Sequence, residues 1–339
     1  MKTVPHKTGI MICGHGSRDP EAIAEFETVA ANLLARLPET DIETGYLEFA
    51  RPILREGFEK LAARGVNRIL ALPGMLFAAS HVKNDLPWEV NSFAAQYPDI
   101  EVRFGRELSI EPKLLKAAAD RIAEAEKSAA TLVPRNETLL LVIGRGTKDP
   151  DANSNIAKVA RMLWEGMGFG WAETAFSGVA YPLVEPGLRH VARMGFRRII
   201  VFPYFLFTGV LVKRIYAATE RVAADHPEIE FLKAPYLRDH PLVLDCFLDR
   251  VAEMADGEPA MNCRLCKYRT QIVGYETAAG APQEGHHHHV RGIGTDEDHH
   301  HAHGHPHAHE HGHGHAHAHS HDHNDGHFHH RPHDKNGDS

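Results

Sequence analysis

Two histidines and a glutamate stand where metal chemistry could be done. His15 lies in Gly14-His15-Gly16-Ser17-Arg18-Asp19-Pro20, directly after the apolar run Gly9–Cys13. His81 follows another apolar run, Asn67–Leu72, through the loop Pro73–Ser80. Glu48 lies near the end of a strand-like stretch, Glu43–Phe49. Imidazole suits Co, Ni, Zn and Fe(II), and two imidazoles with a carboxylate make a site that keeps a coordination position open. A neutral imidazole is also a base close to physiological pH.

The chain supplies its own control. Gly14–Pro20 matches Gly144-Arg145-Gly146-Thr147-Lys148-Asp149-Pro150 at an offset of 130 residues. The same offset carries Pro52 onto Pro182, Gly65 onto Gly195, Pro73 onto Pro203, Leu76-Phe77 onto Leu206-Phe207 and Val82-Lys83 onto Val212-Lys213. Agreement of this kind without a gap marks an internal duplication. Across it His15 becomes Arg145, Glu48 becomes Gly178, His81 becomes Leu211 and Asp85 becomes Ile215. The glycines and prolines stay while the candidate ligands go together. Incidental polar residues near turns would not be lost as a set.

The elements that must position these groups alternate. Gly9–Cys13 and Leu139–Ile143 read as buried strands, and Pro20–Leu37 and Ala152–Met167 as helices. Arg51–Arg64 and Pro182–Met194 read as further helices, Asn67–Leu72 and Arg197–Phe202 as further strands. Such alternation predicts an α/β fold: two duplicated domains, each a parallel sheet flanked by helices. Ligands of such sheets bind at the carboxyl ends of the strands, where His15 and His81 fall. The expected organisation is a metal-carrying repeat over 8–130, a second repeat over 137–255, a Cys-motif segment over 256–283 and a tail over 284–339.

Composition narrows the classes. Residues 284–339 carry net charge -6 of the chain's -8, so the body is near neutral. Nucleic-acid binding needs a basic footprint that is missing. No apolar run is long enough to span a membrane, and the N-terminus lacks the apolar region of a secretion signal. A cytoplasmic location is expected, and a periplasmic metal-binding protein is disfavoured. Cys13 and Cys246 fall in apolar runs and read as core residues. Cys263 and Cys266, in Met261-Asn262-Cys263-Arg264-Leu265-Cys266, have the spacing of a metal or cluster half-site. A zinc half-site and a redox thiol pair fit that spacing as well. Of the 28 histidines, 22 lie between His286 and His333, interspersed with Ala, Gly and acids. That segment cannot build a core, is expected to be disordered without metal, and reads as a metal store.

At these residues the sequence resembles a family. Gly14-His15-Gly16-Ser17-Arg18, Leu47-Glu48-Phe49-Ala50-Arg51-Pro52 and the segment Pro73–Pro87, with His81-Val82-Lys83-Asn84-Asp85 inside it, are similar to signatures of the sirohydrochlorin cobaltochelatases. These are class II chelatases, which insert a metal into a tetrapyrrole without a nucleotide. The resemblance covers roughly residues 8–255. It implies two fused chelatase-like domains and insertion of Co2+ into sirohydrochlorin in cobalamin synthesis. It implies that His15, His81 and Glu48 hold the metal and that the histidines accept pyrrole protons. Arg18, Arg51 and Lys83, with Arg145 and Lys148 reaching across from the second repeat, would bind the substrate's carboxylates, although for any single one of them a solvated surface cation is the favoured reading. Long members carry a Met-X-Cys-X-X-Cys motif and a His-rich tail. This implies a [4Fe–4S] cluster at Cys263 and Cys266, its other ligands open between non-cysteine groups and a partner chain in a homodimer. Iron or nickel insertion remains the neighbouring reading, and metal storage or metallochaperoning the reading from another class.

Overall fold

A computed structural model describes residues 6–257, 268–269, 273–274 and 276–281. Cys263, Cys266 and the His-rich segment lie outside the described residues.

The first repeat forms β1 (Thr8–Gly14), α1 (Pro20–Arg36), β2 (Asp41–Tyr46), α2 (Leu54–Ala63), β3 (Arg68–Pro73), α3 (Leu86–Gln96), β4 (Glu101–Phe104) and α4 (Pro112–Lys127). The second forms β5 (Thr138–Gly144), α5 (Pro150–Met167), β6 (Trp171–Phe176), α6 (Val184–Val191), β7 (Arg198–Pro203), α7 (Val210–Asp225), β8 (Glu230–Lys233) and α8 (Pro241–Asp256). Each repeat builds a parallel four-stranded sheet, in the orders β2-β1-β3-β4 and β6-β5-β7-β8. The apolar runs are central strands because both faces are covered: Ile10 and Ile12 face one core layer, Met11 and Cys13 another.

The Asp-Pro pairs of the duplicated motif are helix starts. Asp19 and Asp149 accept the backbone N–H groups of Glu21 and Asp151, and Pro20 and Pro150 begin the helices. Helices α2 and α6 begin later than periodicity predicts. Residues ahead of them stay at the sheet, where the carbonyls of Pro52 and Pro182 accept from Tyr46 and Phe176.

The repeats share one core. Side chains of both contribute to a single cluster between the sheets. Helix α8 packs against β3, and α4 against β7 and β8, so the last helix of each repeat serves the other's sheet. Buried Arg250 of α8 donates to the Leu108 carbonyl at 2.8 Å, and Arg121 of α4 donates to the Leu237 carbonyl at 3.1 Å. The duplication is therefore visible as a pseudo-twofold arrangement.

Candidate metal site and cleft

In the order β2-β1-β3-β4 the chain leaves β1 to one side and returns to the other. The crevice of such a sheet opens at the carboxyl ends of β1 and β3. His15 is the residue after β1. Strand β2 stops at Tyr46, earlier than expected, but Leu47 and Glu48 still donate to the Gly14 and His15 carbonyls at 3.0 Å. Glu48 is thereby clamped beside His15. Phe49, at φ 65, then turns the chain away. Gly16 makes the approach possible: its φ is +90, and a Cβ there would lie 1.7 Å from the Glu48 carbonyl oxygen.

His81 opens a π-helical turn, His81–Asp85, that runs into α3. The turn has a cause in the sequence. Pro87 has no N–H to continue an α-helical ladder, and Leu86 bonds instead to the His81 carbonyl. The second repeat has Ala217 there, and α7 begins as an ordinary helix.

His15 Nε2 lies 3.1 Å from His81 Nε2 and 3.3 Å from Glu48 Oε1. The three donor atoms lie within 4.8 Å of one another. The far side of each ring fixes its proton. His15 Nδ1 is 3.0 Å from the Gly16 carbonyl oxygen, and His81 Nδ1 is 2.6 Å from Asp85 Oδ2. Both partners only accept, so both Nδ1 atoms carry hydrogen, and each Nε2 is left facing the site, as a lone pair when its ring is neutral. Asn84 Nδ2 in turn donates to Asp85 Oδ1 at 2.7 Å. Two imidazole nitrogens and a carboxylate facing one another are a donor set that could hold a metal ion. Burial, followed by the charges of Arg145 and His81, lowers the His15 pKa to about 3, which keeps its ring neutral.

The site opens on a cavity of about 610 Å³ lined by both repeats, within the range of small-molecule sites. Phe26, Leu76, Phe77, Tyr204 and Phe207 give it apolar walls. Arg18 lines it with its guanidinium 4.8 Å from the Phe49 ring centroid. Arg145 lines it from the opposite repeat, its Nη2 3.0 Å from His15 Nε2. Burial lowers the Arg145 pKa, and the charge of Glu48 works to raise it.

The expected rim of cations is only partly found. Arg51 and Lys148 are exposed but do not line the cavity, and Arg51 pairs with Glu56 at 3.5 Å. Lys83 corrects the reading made from sequence. It is 1% exposed, and its Nζ binds Asp149 at 2.8 Å and Asp151 at 2.9 Å. It faces the second repeat rather than the cleft. Lys213, its counterpart, mirrors it with Asp19 at 2.8 Å and Glu21 at 2.9 Å. The pairs are related by the duplication. That was a readable signal: Lys83 survives in both repeats, as scaffold residues do. Phe49 and Tyr204 carry no such signal; only the fold brings them to the cavity. Cys13 and Cys246 are buried, and burial pushes the Cys246 thiol up to about 12. Neither is poised as a thiolate ligand.

The CbiX family model matches residues 9–125 and 139–254. The sirohydrochlorin cobaltochelatase of Priestia megaterium is 34% identical over 264 residues, 78% of this chain and 85% of that protein. The sirohydrochlorin ferrochelatase of the same organism is 30% identical, over 70% of this chain and 87% of its own length. The structure of SirB from Bacillus subtilis with Fe3+ superposes with a TM-score of 0.65 at 28% identity, covering 74% of this chain and 96% of that one.

Proposed function

The chain belongs to the CbiX family, and from that premise we propose that it is a sirohydrochlorin chelatase that inserts Co2+ into the macrocycle without a nucleotide. The observation that carries the reading is the convergence of His15 Nε2, His81 Nε2 and Glu48 Oε1 at one end of a large cleft. Substrate metal sheds part of its water onto these three groups and keeps its remaining positions for the ring. The apolar walls take the macrocycle, and Arg18 and Arg145 face its carboxylates.

Insertion must remove two pyrrole protons. As metal moves from imidazole to ring, a histidine lone pair is released and takes one of them, and the other leaves to solvent through the open cleft. His15 is a poor proton store, since its ring stays neutral to about pH 3. Asp85 Oδ2, 2.6 Å from His81 Nδ1, is placed to stabilise an imidazolium formed on that ring. The second repeat, with Arg145, Gly178 and Leu211 at the ligand positions, walls the cleft. One site per chain follows.

Iron is the second reading. The same donor set accepts Fe(II), and both the Priestia megaterium ferrochelatase and the iron-bearing SirB are similar to this chain. The choice of cobalt rests on the higher identity to the cobaltochelatase. A storage or chaperone role would not call for a tetrapyrrole-sized cleft beside the ligands. No helix among the described residues is long and apolar enough to cross a membrane; a cytoplasmic location remains the reading made from sequence. The cluster at Cys263 and Cys266, and a dimer formed through it, remain the reading made from sequence.

The test mixes the protein with sirohydrochlorin and either Co2+ or Fe2+ and follows the visible spectrum. Metallation should be faster with cobalt and should fall at least a hundredfold in His15→Ala and His81→Ala. Wild-type rates in either variant refute the assignment.

A further inference from the structure

The second repeat places a side chain in the metal site itself. Arg145 occupies the sequence position that His15 holds in the first repeat, and its Nη2 reaches His15 Nε2 at 3.0 Å. With hydrogen on Nδ1, facing the Gly16 carbonyl, Nε2 has a single lone pair. In the metal-free protein that lone pair accepts from Arg145. A metal ligated by the same atom, at the ~2.0–2.1 Å typical of imidazole, needs the same lone pair, so the two exclude each other. Charge points the same way. Glu48 Oε1 is 3.3 Å from His15 Nε2, and its charge supports that of Arg145. A dication entering this site meets a guanidinium already there.

We propose that Arg145 is a resident cation that competes with substrate metal for His15 and Glu48 and is released into the cleft when an anionic macrocycle supplies carboxylates to pair with it. The proposal rests on His15, His81 and Glu48 being the metal ligands. The cleft gives the displaced side chain somewhere to go: Arg145 already lines it. Guanidinium pairs with carboxylates in forked geometry, so a polycarboxylate ligand can hold it away from His15. Metal and macrocycle binding are then coupled. Metal is held weakly while the cleft is empty and firmly once the ring is in place, and coupling of this kind is reciprocal. A free dication is thereby kept from settling in a site that has nothing to receive it. The duplication explains the origin of the device: the position that supplies a ligand in one repeat supplies that ligand's competitor in the other.

The experiment titrates Co2+ into the metal-free, full-length chain and reads the cobalt visible bands. A full-length chain carrying both His15→Ala and His81→Ala is the blank, because it keeps every tail histidine. Arg145→Met and Arg145→Gln should each bind cobalt in the difference titration about tenfold tighter or more than wild type, since a neighbouring positive charge has gone. In steady-state metallation the same variants should raise KM for sirohydrochlorin. Tighter metal with weaker tetrapyrrole is a split that general loosening of the site would not produce, because loosening weakens both. Cobalt binding unchanged or weakened in both variants overturns the proposal. A blank that matches wild type overturns the metal-site reading together with it.

Discussion

Lys83→Met offers the sharpest test of how the two repeats are joined. Lys83 is 1% exposed, Asp149 is 0% and Asp151 is 8%, and both carboxylates lie within 3 Å of Nζ. Burial works to lower the lysine pKa, but hydrogen bonds to Asp149 and Asp151 outweigh it and the net shift is upward. The cation is therefore charged in the folded chain, and its contribution fades only as pH rises above the usual lysine range. Methionine keeps the volume and removes the charge, leaving two buried carboxylates facing each other. Breaking a buried pair by removing one partner costs about 3–5 kcal/mol, a large share of the ~5–15 kcal/mol that holds a typical domain. With a urea slope of about 3 kcal/mol/M, the unfolding midpoint should fall by about 1 M or more. Lys213→Met is the internal comparison. Its side chain is 50% exposed, so solvent screens the pair and its loss should move the midpoint far less. The assay is urea unfolding followed by far-UV circular dichroism for wild type, the two single variants, and Lys83→Met combined with Asp149→Asn and Asp151→Asn. The triple variant should recover much of the loss. If Lys83→Met unfolds with Lys213→Met, the buried bridge is not what joins the repeats. If it keeps its midpoint but raises KM for sirohydrochlorin, Lys83 binds substrate after all.

Three further outcomes are expected. Asp85→Asn removes the charge beside the His81 ring and leaves one acceptor oxygen for two donors, His81 Nδ1 and Asn84 Nδ2, and cobalt affinity at the site should drop about 10–100-fold with the fold intact, read by the blank-corrected cobalt titration. Gly16→Ala puts a methyl 1.7 Å from the Glu48 carbonyl oxygen at φ +90, so the loop must move; cobalt binding should be lost and the thermal midpoint should fall by several degrees in calorimetry. The His15 pKa of about 3 lies below the ordinary histidine value of 6.5, so the unfolded chain takes up this proton first as pH falls. Stability should decline between about pH 6.5 and 3, by up to about 1.4 kcal/mol per pH unit from this group, and His15→Asn should flatten that part of the curve in urea unfolding measured across pH.

The duplication made the site legible. Because His15, Glu48, His81 and Asp85 vanish together at the offset while the glycines and prolines persist, the sequence alone separates candidate ligands from scaffold. Applied evenly, the same comparison assigns Lys83 to the scaffold, since Lys213 repeats it, and the structure shows both bridging the repeats. The parallel sheets were legible from strand–helix alternation, and the helix starts from the Asp-Pro pairs. The ends of β2 and the starts of α2 and α6 were not, because hydrogen bonds to neighbouring strands, rather than local periodicity, decide them.

By itself the sequence determined which residue types are present at the strand ends and that one repeat kept them. Ligand chemistry and strand-end position are local properties, readable one segment at a time. Only the tertiary structure decided that the two Nε2 atoms face each other and that α4 and α8 exchange sheets to make one core. It also decided that Arg145 reaches across to His15. Those facts depend on how separated segments pack, and a ring's proton or a guanidinium's partner is fixed by whatever atom that packing brings within hydrogen-bond reach.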